Sequence, residues 1–446
     1  MTFALRDYQV RAIDQAREHV RAGRTAPLLV SPTGSGKTAI GIEFARLHIE
    51  RGGRVLWLAH RVELIEQAYD TARARGVSVG AIGAAVTRPR DPEASLQVAM
   101  LPTLVARGQL PAATMAIVDE AHHAVAPEYF GVVTHYPFRV GLTATPERQD
   151  GRGLGHAFDA LVVVSTIRKL TDAGHLVPCD VVAPPRRLRN GTIAQSPLVA
   201  YRLHCEGRRT IVFAQHVAAA EEYYGEFRMA GVRVGLVTGE MPPVDRTFVL
   251  AEYKAGRLDV LVNVNVLTEG FDDPPTSACI LARGCGSAGV YLQIVGRILR
   301  TAPGKADAVL VDLRGVTHDP DIGRPDIDRH YSLDGKGIRS TETDTLRFCQ
   351  ICGNAMDLTA PKCLACGWEL DAEQASPTVA NVMMKKLARD FLVSDDGDKR
   401  AARLGKWLRE AKAKGHKPGA ALYKFRACYG AMPSPALISR AWKETA

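Results

Sequence analysis

No stretch of about 18 consecutive apolar residues occurs in the 446-residue chain, so no membrane span is expected. Met1 to Asp7 lacks a basic region followed by an apolar run, so no secretion leader is expected and a cytoplasmic, reducing setting follows. In that setting the nine cysteines do not read as a disulfide framework. An acidic excess is also missing, since 57 Lys/Arg face 48 Asp/Glu. From Asn381 to Ala446 there are 15 Lys/Arg against 6 Asp/Glu, while the first 380 residues carry 42 of each. The tail therefore holds the whole net charge of +9, which suits a polyanion such as nucleic acid or, more plainly, a solvated basic helix. What is plentiful is apolar. A hydrophobic content of 46% allows proper cores, and the length suits about three domains at ~150 residues each.

Leu28 to Val30 reads as a short buried strand, and Ala39 to Ile49 has apolar residues at helical spacing. Between them lies Ser31-Pro32-Thr33-Gly34-Ser35-Gly36-Lys37-Thr38, a phosphate-cradling loop that names ATP as cofactor. Its glycines let backbone N–H groups face phosphate oxygens, and the following helix points its positive end at the same place. Lys37 would reach the β- and γ-phosphates, and the Thr38 hydroxyl would ligate Mg²⁺. Ser31 stands where glycine is usual.

Residues 1–165 alternate strands and helices, the pattern of a parallel α/β sheet, with strands at Leu28–Val30, Val55–Ala59, Gln97–Met100, Met115–Val118 and Arg139–Leu142. The fourth runs into Asp119-Glu120-Ala121-His122, and its acidic pair is expected on a strand neighbouring the phosphate loop. Asp119 would hold Mg²⁺ through its water shell, and Glu120 would orient and deprotonate an attacking water.

Asp-Glu-Ala-His beside this loop resembles the DEAD/DEAH-box motors of helicase superfamily 2, and further motifs follow in order over residues 3–315. The resemblance implies that Arg6 and Gln9, flanking Tyr8, read adenine. It implies that His60, Arg61 and, more loosely, Thr103 touch the nucleic-acid backbone. Gly141-Leu142-Thr143-Ala144-Thr145-Pro146 resembles the motif that couples hydrolysis to movement, which gives coupling roles to His122, Thr143 and Thr145.

Residues 166–320 repeat the α/β pattern, with strands at Thr210–Ala214, Arg233–Val237, Val260–Val264, Ala278–Leu281 and Ala308–Val311. Thr268, Gly270 and Asp272 sit in a stretch that resembles the element contacting both nucleic acid and ribose. Gln293, Gly296, Arg297 and Arg300 resemble the arginine-finger helix, in which Arg297 and Arg300, three apart, share one face and reach the γ-phosphate. The implied architecture is two tandem RecA-like parallel-sheet lobes with ATP in the cleft between them.

Cys349, Cys352, Cys363 and Cys366 form a Cys-x2-Cys, ten residues, Cys-x2-Cys array over 345–370, with the ligand set of a structural Zn²⁺ ribbon. The other five cysteines read as small buried apolar residues. Residues 316–345 read as an irregular connector. Val382 to Val393 and Ala401 to Ala413 read as helices of a small basic C-terminal domain over 380–446. There Tyr423, Lys424 and Arg426 either stack on bases and neutralise phosphates or, for the aromatics, form the core of that domain.

The order of motor, four cysteines and basic tail resembles the RadD-like branch, related to the motor subunits of type III restriction enzymes. It implies an ATP-dependent helicase or translocase on single-stranded or forked DNA, in repair, recombination or replication. The C-terminal domain leaves room for a protein partner. The competing readings are an RNA helicase, a DNA translocase that does not separate strands, and a DNA-binding adaptor with a decayed ATPase.

Overall fold

The computed structural model describes residues 5–335 apart from 85, 147, 149–151, 190, 269 and 320–321. Beyond these it describes 346–348, 355–357, 378–380, 382–387, 404–409, 421–422 and 441.

Lobe 1 holds strands β1 (Pro27–Val30), β2 (Val55–Ala59), β3 (Val79–Ile82), β4 (Leu96–Met100), β5 (Met115–Asp119), β6 (Arg139–Thr143) and β7 (Ala160–Val163). Its helices are α1 (Asp7–Arg21), α2 (Lys37–Ile49), α3 (Val62–Ala74), α4 (Leu101–Arg107), α5 (Ala121–Ala124) and α6 (Pro127–Thr134). The strands form one parallel sheet in the order β3-β4-β2-β5-β6-β1-β7. Both faces are covered, so β1, β2 and β5 are buried along their whole length, as uninterrupted apolar runs in a parallel sheet require. The acidic pair does not lie on a strand next to β1. Strand β6 intervenes, pairing with β1 at Val30↔Thr143 and with β5 at Asp119↔Leu142. Two strand spacings, about 9–10 Å, thus separate the strands that carry the phosphate loop and the carboxylates.

Lobe 2 repeats the plan with β8 (Cys179–Ala183), β9 (Thr192–Ile193), β10 (Thr210–Phe213), β11 (Val234–Val237), β12 (Val260–Asn263), β13 (Ala278–Leu281) and β14 (Ala308–Asp312). Its helices are α7 (Ile167–Asp172), α8 (Pro197–His204), α9 (Val217–Met229), α10 (Pro243–Lys254) and α11 (Ala288–Gly296). The sheet runs β11-β12-β10-β13-β14-β8 in parallel. One apolar cluster is continuous across both lobes, from Leu29 and Ile40 to Leu176, Phe271 and Ile294.

The described later segments add four short strands, one of them where the sequence pattern reads as helix. Strands β15 (Leu346–Phe348) and β16 (Ala355–Asp357) pair antiparallel on either side of the first cysteine pair. β17 (Thr378–Val379) pairs with β9, and β18 (Lys385–Leu387) adds an antiparallel edge to β8. Helix is therefore wrong for 385–387, and these residues belong to lobe 2 rather than to a separate tail domain. The open edge of β8 is the cause: Ala380 and Val382 N–H groups lead the chain in by bonds to Ile193 and Ala194 carbonyls. Lys386 Nζ then pairs with Asp180 at 2.5 Å. Residues 404–409 are helical as expected, with Leu404 and Leu408 buried against Ala421 and Ala441.

The connector after β14 is irregular but closely packed. The Arg329 guanidinium donates to the carbonyls of Ile322, Arg324, Pro325 and Ile327. Tyr331 and Leu333 then pack against the lobe 1 core, where Gly155 N–H donates to the Leu333 carbonyl at 2.8 Å and Gly335 bridges Arg152. Replacing the half-buried Leu333 by Asp should lower the stability of lobe 1 by about 1–2 kcal/mol, measured as an earlier urea transition.

Candidate active site

The phosphate loop is held open from below and from one side. Ser31 N–H donates to the Thr143 carbonyl of β6, and Ser31 Oγ lies 2.5 Å from Ser35 Oγ, a bond glycine at this position lacks. Gly34 and Gly36 have φ of +87° and +82°, which side-chain-bearing residues rarely adopt. Tyr8 OH and Gln9 Nε2 both donate to the Ser35 carbonyl, at 2.7 and 2.9 Å, and Gln9 Oε1 accepts from Arg6 N–H. Gln9 is thus brought to the loop, with Arg6 beside it. Lys37 and Thr38 open α2, so the first-turn N–H groups and the helix dipole face the same hollow.

Across two strands, β5 delivers buried Asp119 and Glu120. Glu120 has φ +46°, ψ +56°, a left-handed backbone that costs a non-glycine residue roughly 1 kcal/mol and turns its side chain toward the loop. Its Oε1 lies 3.4 Å from Lys37 Nζ, and its Oε2 lies 3.5 Å from His122 Nδ1. The Thr143 hydroxyl donates to the Thr145 carbonyl at 2.6 Å, so it must accept from His122 Nδ1, 2.9 Å away. That assigns a proton to Nδ1, while Nε2 lies 3.3 Å from Gln293 Nε2 of α11. Lys37, Glu120, His122 and Gln293 form an unbroken series across the cleft. Thr38 and Asp119 supply hard oxygen donors of the kind Mg²⁺ prefers.

The lobe 2 arginines do not share a helix face, because α11 ends at Gly296 and the chain then turns into a bridge between Arg300 and Leu176. Arg297 points into its own lobe. Its guanidinium donates to the Thr268 carbonyl at 2.6 and 3.1 Å and to the Phe271 carbonyl at 2.6 Å, fastening the loop that holds Gly270 and Asp272. Arg300 alone lies over the phosphate loop. It pairs with Asp272, and a Cβ placed on Gly34 would sit 3.1 Å from its Cγ. Burial pushes the Arg300 guanidinium down to about 10, which leaves it charged at neutral pH. The α11 glycines permit close approach: a Cβ on Gly296 would fall 2.4 Å from Thr33 Cβ, and one on Gly289 2.6 Å from Thr145 Oγ1.

Residues 2–148 match the family described as type III restriction enzyme, res subunit, and residues 196–302 match the helicase conserved C-terminal domain, together more than half of the chain. The chain belongs to helicase superfamily 2. Within that superfamily of nucleic-acid-dependent ATPases it falls in the restriction-like branch. The helicase is 28% identical over 377 residues to a 51.5 kDa protein of a Lactococcus phage, covering 78% of this chain and 79% of that one. It is 26% identical to a protein of Saccharomyces cerevisiae provisionally named ATP-dependent helicase IRC3, covering 70% of this chain and about half, 52%, of the yeast protein. Among solved structures it resembles a fragment of a provisionally assigned HsdR subunit of a type I restriction enzyme from Vibrio vulnificus. That match has a TM-score of 0.57 and 24% identity, and covers 72% of this chain and 67% of that one.

The remaining residues of the helicase divide by position. His60 and Arg61 follow β2, and Thr103 lies in the first turn of α4, so all three sit on the rim where the lobe 1 strands end. Thr268 is buried, and Gly270 approaches lobe 1, its would-be Cβ 3.2 Å from Glu63 of α3. Cys349, Cys352, Cys363, Cys366, Tyr423, Lys424 and Arg426 lie outside the described residues. Among the described residues no cluster suited to a metal ion is found, and no helix is long and apolar enough to cross a membrane. Cys179, Cys205, Cys279 and Cys285 are buried free thiols, Cys179, Cys205 and Cys285 being pushed up to about 12 by burial, in keeping with apolar packing roles.

Sequence reasoning missed the support beneath the Gly270 loop. Asp273 accepts from Thr276 Oγ1 at 2.6 Å and pairs with Arg209 at 3.2 Å, while Lys305 Nζ donates to the Pro274 and Thr276 carbonyls. These residues belong to no motif and meet only through the sheet. Burial lowers the Lys305 ammonium to about 8. The unfolded chain therefore holds a proton that the folded one has lost between pH 8 and about 10.5, so this group makes stability rise with pH across that window. Lys305→Met should lack that rise when urea midpoints of the two proteins are compared from pH 7.5 to 10.5. Gly296→Ala should force α11 off Thr33 and lower ATP turnover at least about tenfold with the circular dichroism spectrum retained, the extent expected when a catalytic constellation is misplaced by an ångström.

Proposed function

We propose that this helicase is a DNA motor in which ATP hydrolysis in the cleft drives relative movement of the two lobes along a nucleic-acid strand. The observation that carries this reading is the series Lys37–Glu120–His122–Gln293, which joins the phosphate loop of lobe 1 to the arginine-bearing segment of lobe 2. In it, Glu120 takes the proton of a water whose oxygen attacks the γ-phosphorus, and ADP leaves toward Lys37. Thr38 and Asp119 would hold Mg²⁺, which would supply charge neutralisation on the phosphates. Loss of the γ-phosphate removes the anion that draws Lys37 and Arg300 together, and Gln293 passes the change to α11. Arg6 and Gln9 are proposed to select adenine.

DNA is favoured over RNA by the match to a restriction-enzyme family and by the basic tail. His60, Arg61, Thr103, Thr268 and Gly270 would contact backbone phosphates, which makes binding weakly sequence-specific. Tyr423, Lys424 and Arg426 add grip on unpaired bases. A role in repair, recombination or replication, with a protein partner on the C-terminal region, belongs to the same reading. So does structural Zn²⁺ on Cys349, Cys352, Cys363 and Cys366, supported by the pairing of β15 with β16, which closes the chain around the first cysteine pair.

The deciding experiment is ATP turnover with no ligand, single-stranded, duplex and forked DNA, and RNA. Stimulation by single-stranded or forked DNA is expected. RNA alone would place the chain among RNA remodellers, duplex alone among translocases without strand separation, and no response would favour an adaptor. Lys37→Ala and Glu120→Gln should each lose about 10²–10⁴-fold in turnover. DNA-stimulated hydrolysis surviving in Lys37→Ala would overturn the site assignment. Cys352→Ser should release about one zinc per chain and weaken DNA binding while ligand-free hydrolysis persists, read by metal analysis beside the turnover assay.

A further inference from the structure

We propose that His123 is the positioning residue that carries nucleic-acid occupancy at the rim to the hydrolytic carboxylate, an inference that rests on the motor reading above. β2 and β5 pair in parallel with Leu58 opposite Val118, so the residues that follow each strand emerge side by side, about one strand spacing apart. One residue past β2 lies His60. Past β5 lies α5, whose successive residues point about 100° apart. His122 turns inward to Thr143, Glu120 and Gln293, while half-buried His123 turns toward β2.

The three imidazoles touch in a row. The His60 and His123 ring centroids are 4.6 Å apart and those of His123 and His122 are 4.3 Å apart, with interplanar angles of 43° and 42°. Rings at these separations are in van der Waals contact, so a shift of His60 must be taken up by His123 and passed on to His122. Both His122 nitrogens are engaged, by Thr143 on one side and Gln293 on the other, and its Nδ1 also faces Glu120. A small rotation of that ring therefore moves the carboxylate and the cleft contact together. A phosphate drawn to His60 and Arg61 would thereby reset Glu120 without touching it. No residue other than His123 is seen to stack on both the rim histidine and the catalytic-side histidine among the described ring contacts.

Spatial succession is not yet coupling, so the test measures an energy. Full-length wild type, His123→Gln, His123→Ala, His123→Phe, His60→Ala and the double variant His60→Ala/His123→Ala are compared. The readouts are kcat and KM for ATP with and without saturating oligothymidylate, and oligonucleotide affinity by fluorescence anisotropy. In His123→Gln and His123→Ala the ligand-free kcat and the oligonucleotide affinity should hold, while the stimulated-to-basal ratio falls at least about fivefold, the lower end of ordinary coupling energies. His123→Phe, which restores a planar ring, should recover most of the ratio. The double variant should lose no more stimulation than His123→Ala. Undiminished stimulation in His123→Gln, equal loss of basal and stimulated rates, or a phenylalanine variant no better than glutamine would each overturn the proposal. A wild type that no nucleic acid stimulates would instead overturn the motor reading, and the proposal with it.

Discussion

The order of strands in lobe 1 is the constraint on which the site depends. In a parallel sheet every strand ends on the same rim, so whatever follows β4, β2, β5, β6 and β1 is laid out along one line. That line begins with Thr103, passes His60 and Arg61, then Glu120 and His122, then Thr143 and Thr145, and ends at the phosphate loop. Residues proposed to meet nucleic acid and residues proposed to meet phosphate occupy opposite ends, with those proposed for hydrolysis and coupling between. The insertion of β6 between β1 and β5 sets the phosphate loop and the carboxylates on strands two spacings apart, a gap closed by the 3.4 Å approach of Lys37 Nζ to Glu120 Oε1. It also places Thr143 where its hydroxyl can settle the His122 tautomer.

Among the contacts of lobe 2 with this rim are close approaches at glycines. Gly296 against Thr33, Gly289 against Thr145 and Arg300 over Gly34 bring α11 and its trailing segment to within atomic contact of two lobe 1 motifs, the phosphate loop and the segment after β6. Arg297 serves the same end from behind. It ties the carbonyls of Thr268 and Phe271 and so holds Asp272 where Arg300 can pair with it. The two arginines of one short motif thus divide the work, one bracing the loop and one facing the cleft.

Much of this was legible because phosphate chemistry leaves a dense local signature. Ser31 to Thr38 and Asp119 to His122 announce themselves by spacing, and the ten buried strands expected from apolar runs all form, with ends shifted by a residue or so. Where the sequence misled, the deciding contacts were distant. Strand β18 looks helical in isolation and becomes a strand because β8 offers an open edge. Arg297 and Arg300 have helical spacing, but the helix stops at Gly296. β3, β7 and β8 went unread in the sequence. Asp273, Arg209 and Lys305 carry no motif at all and are neighbours only after β10, β13 and β14 have assembled. His123 had no local signal beyond standing next to His122.

The return of the chain after β14 has a mechanical consequence. One passage between lobes runs from β7 to β8, and a second runs from β14 back to Tyr331 and Leu333 on the lobe 1 core, with Arg329 stiffening it through four carbonyls. Bodies tethered by one flexible segment can tumble about it as on a ball joint. The chain crosses once more to reach β17 and β18, and bodies joined by three passages have fewer ways to move against each other than bodies joined by one.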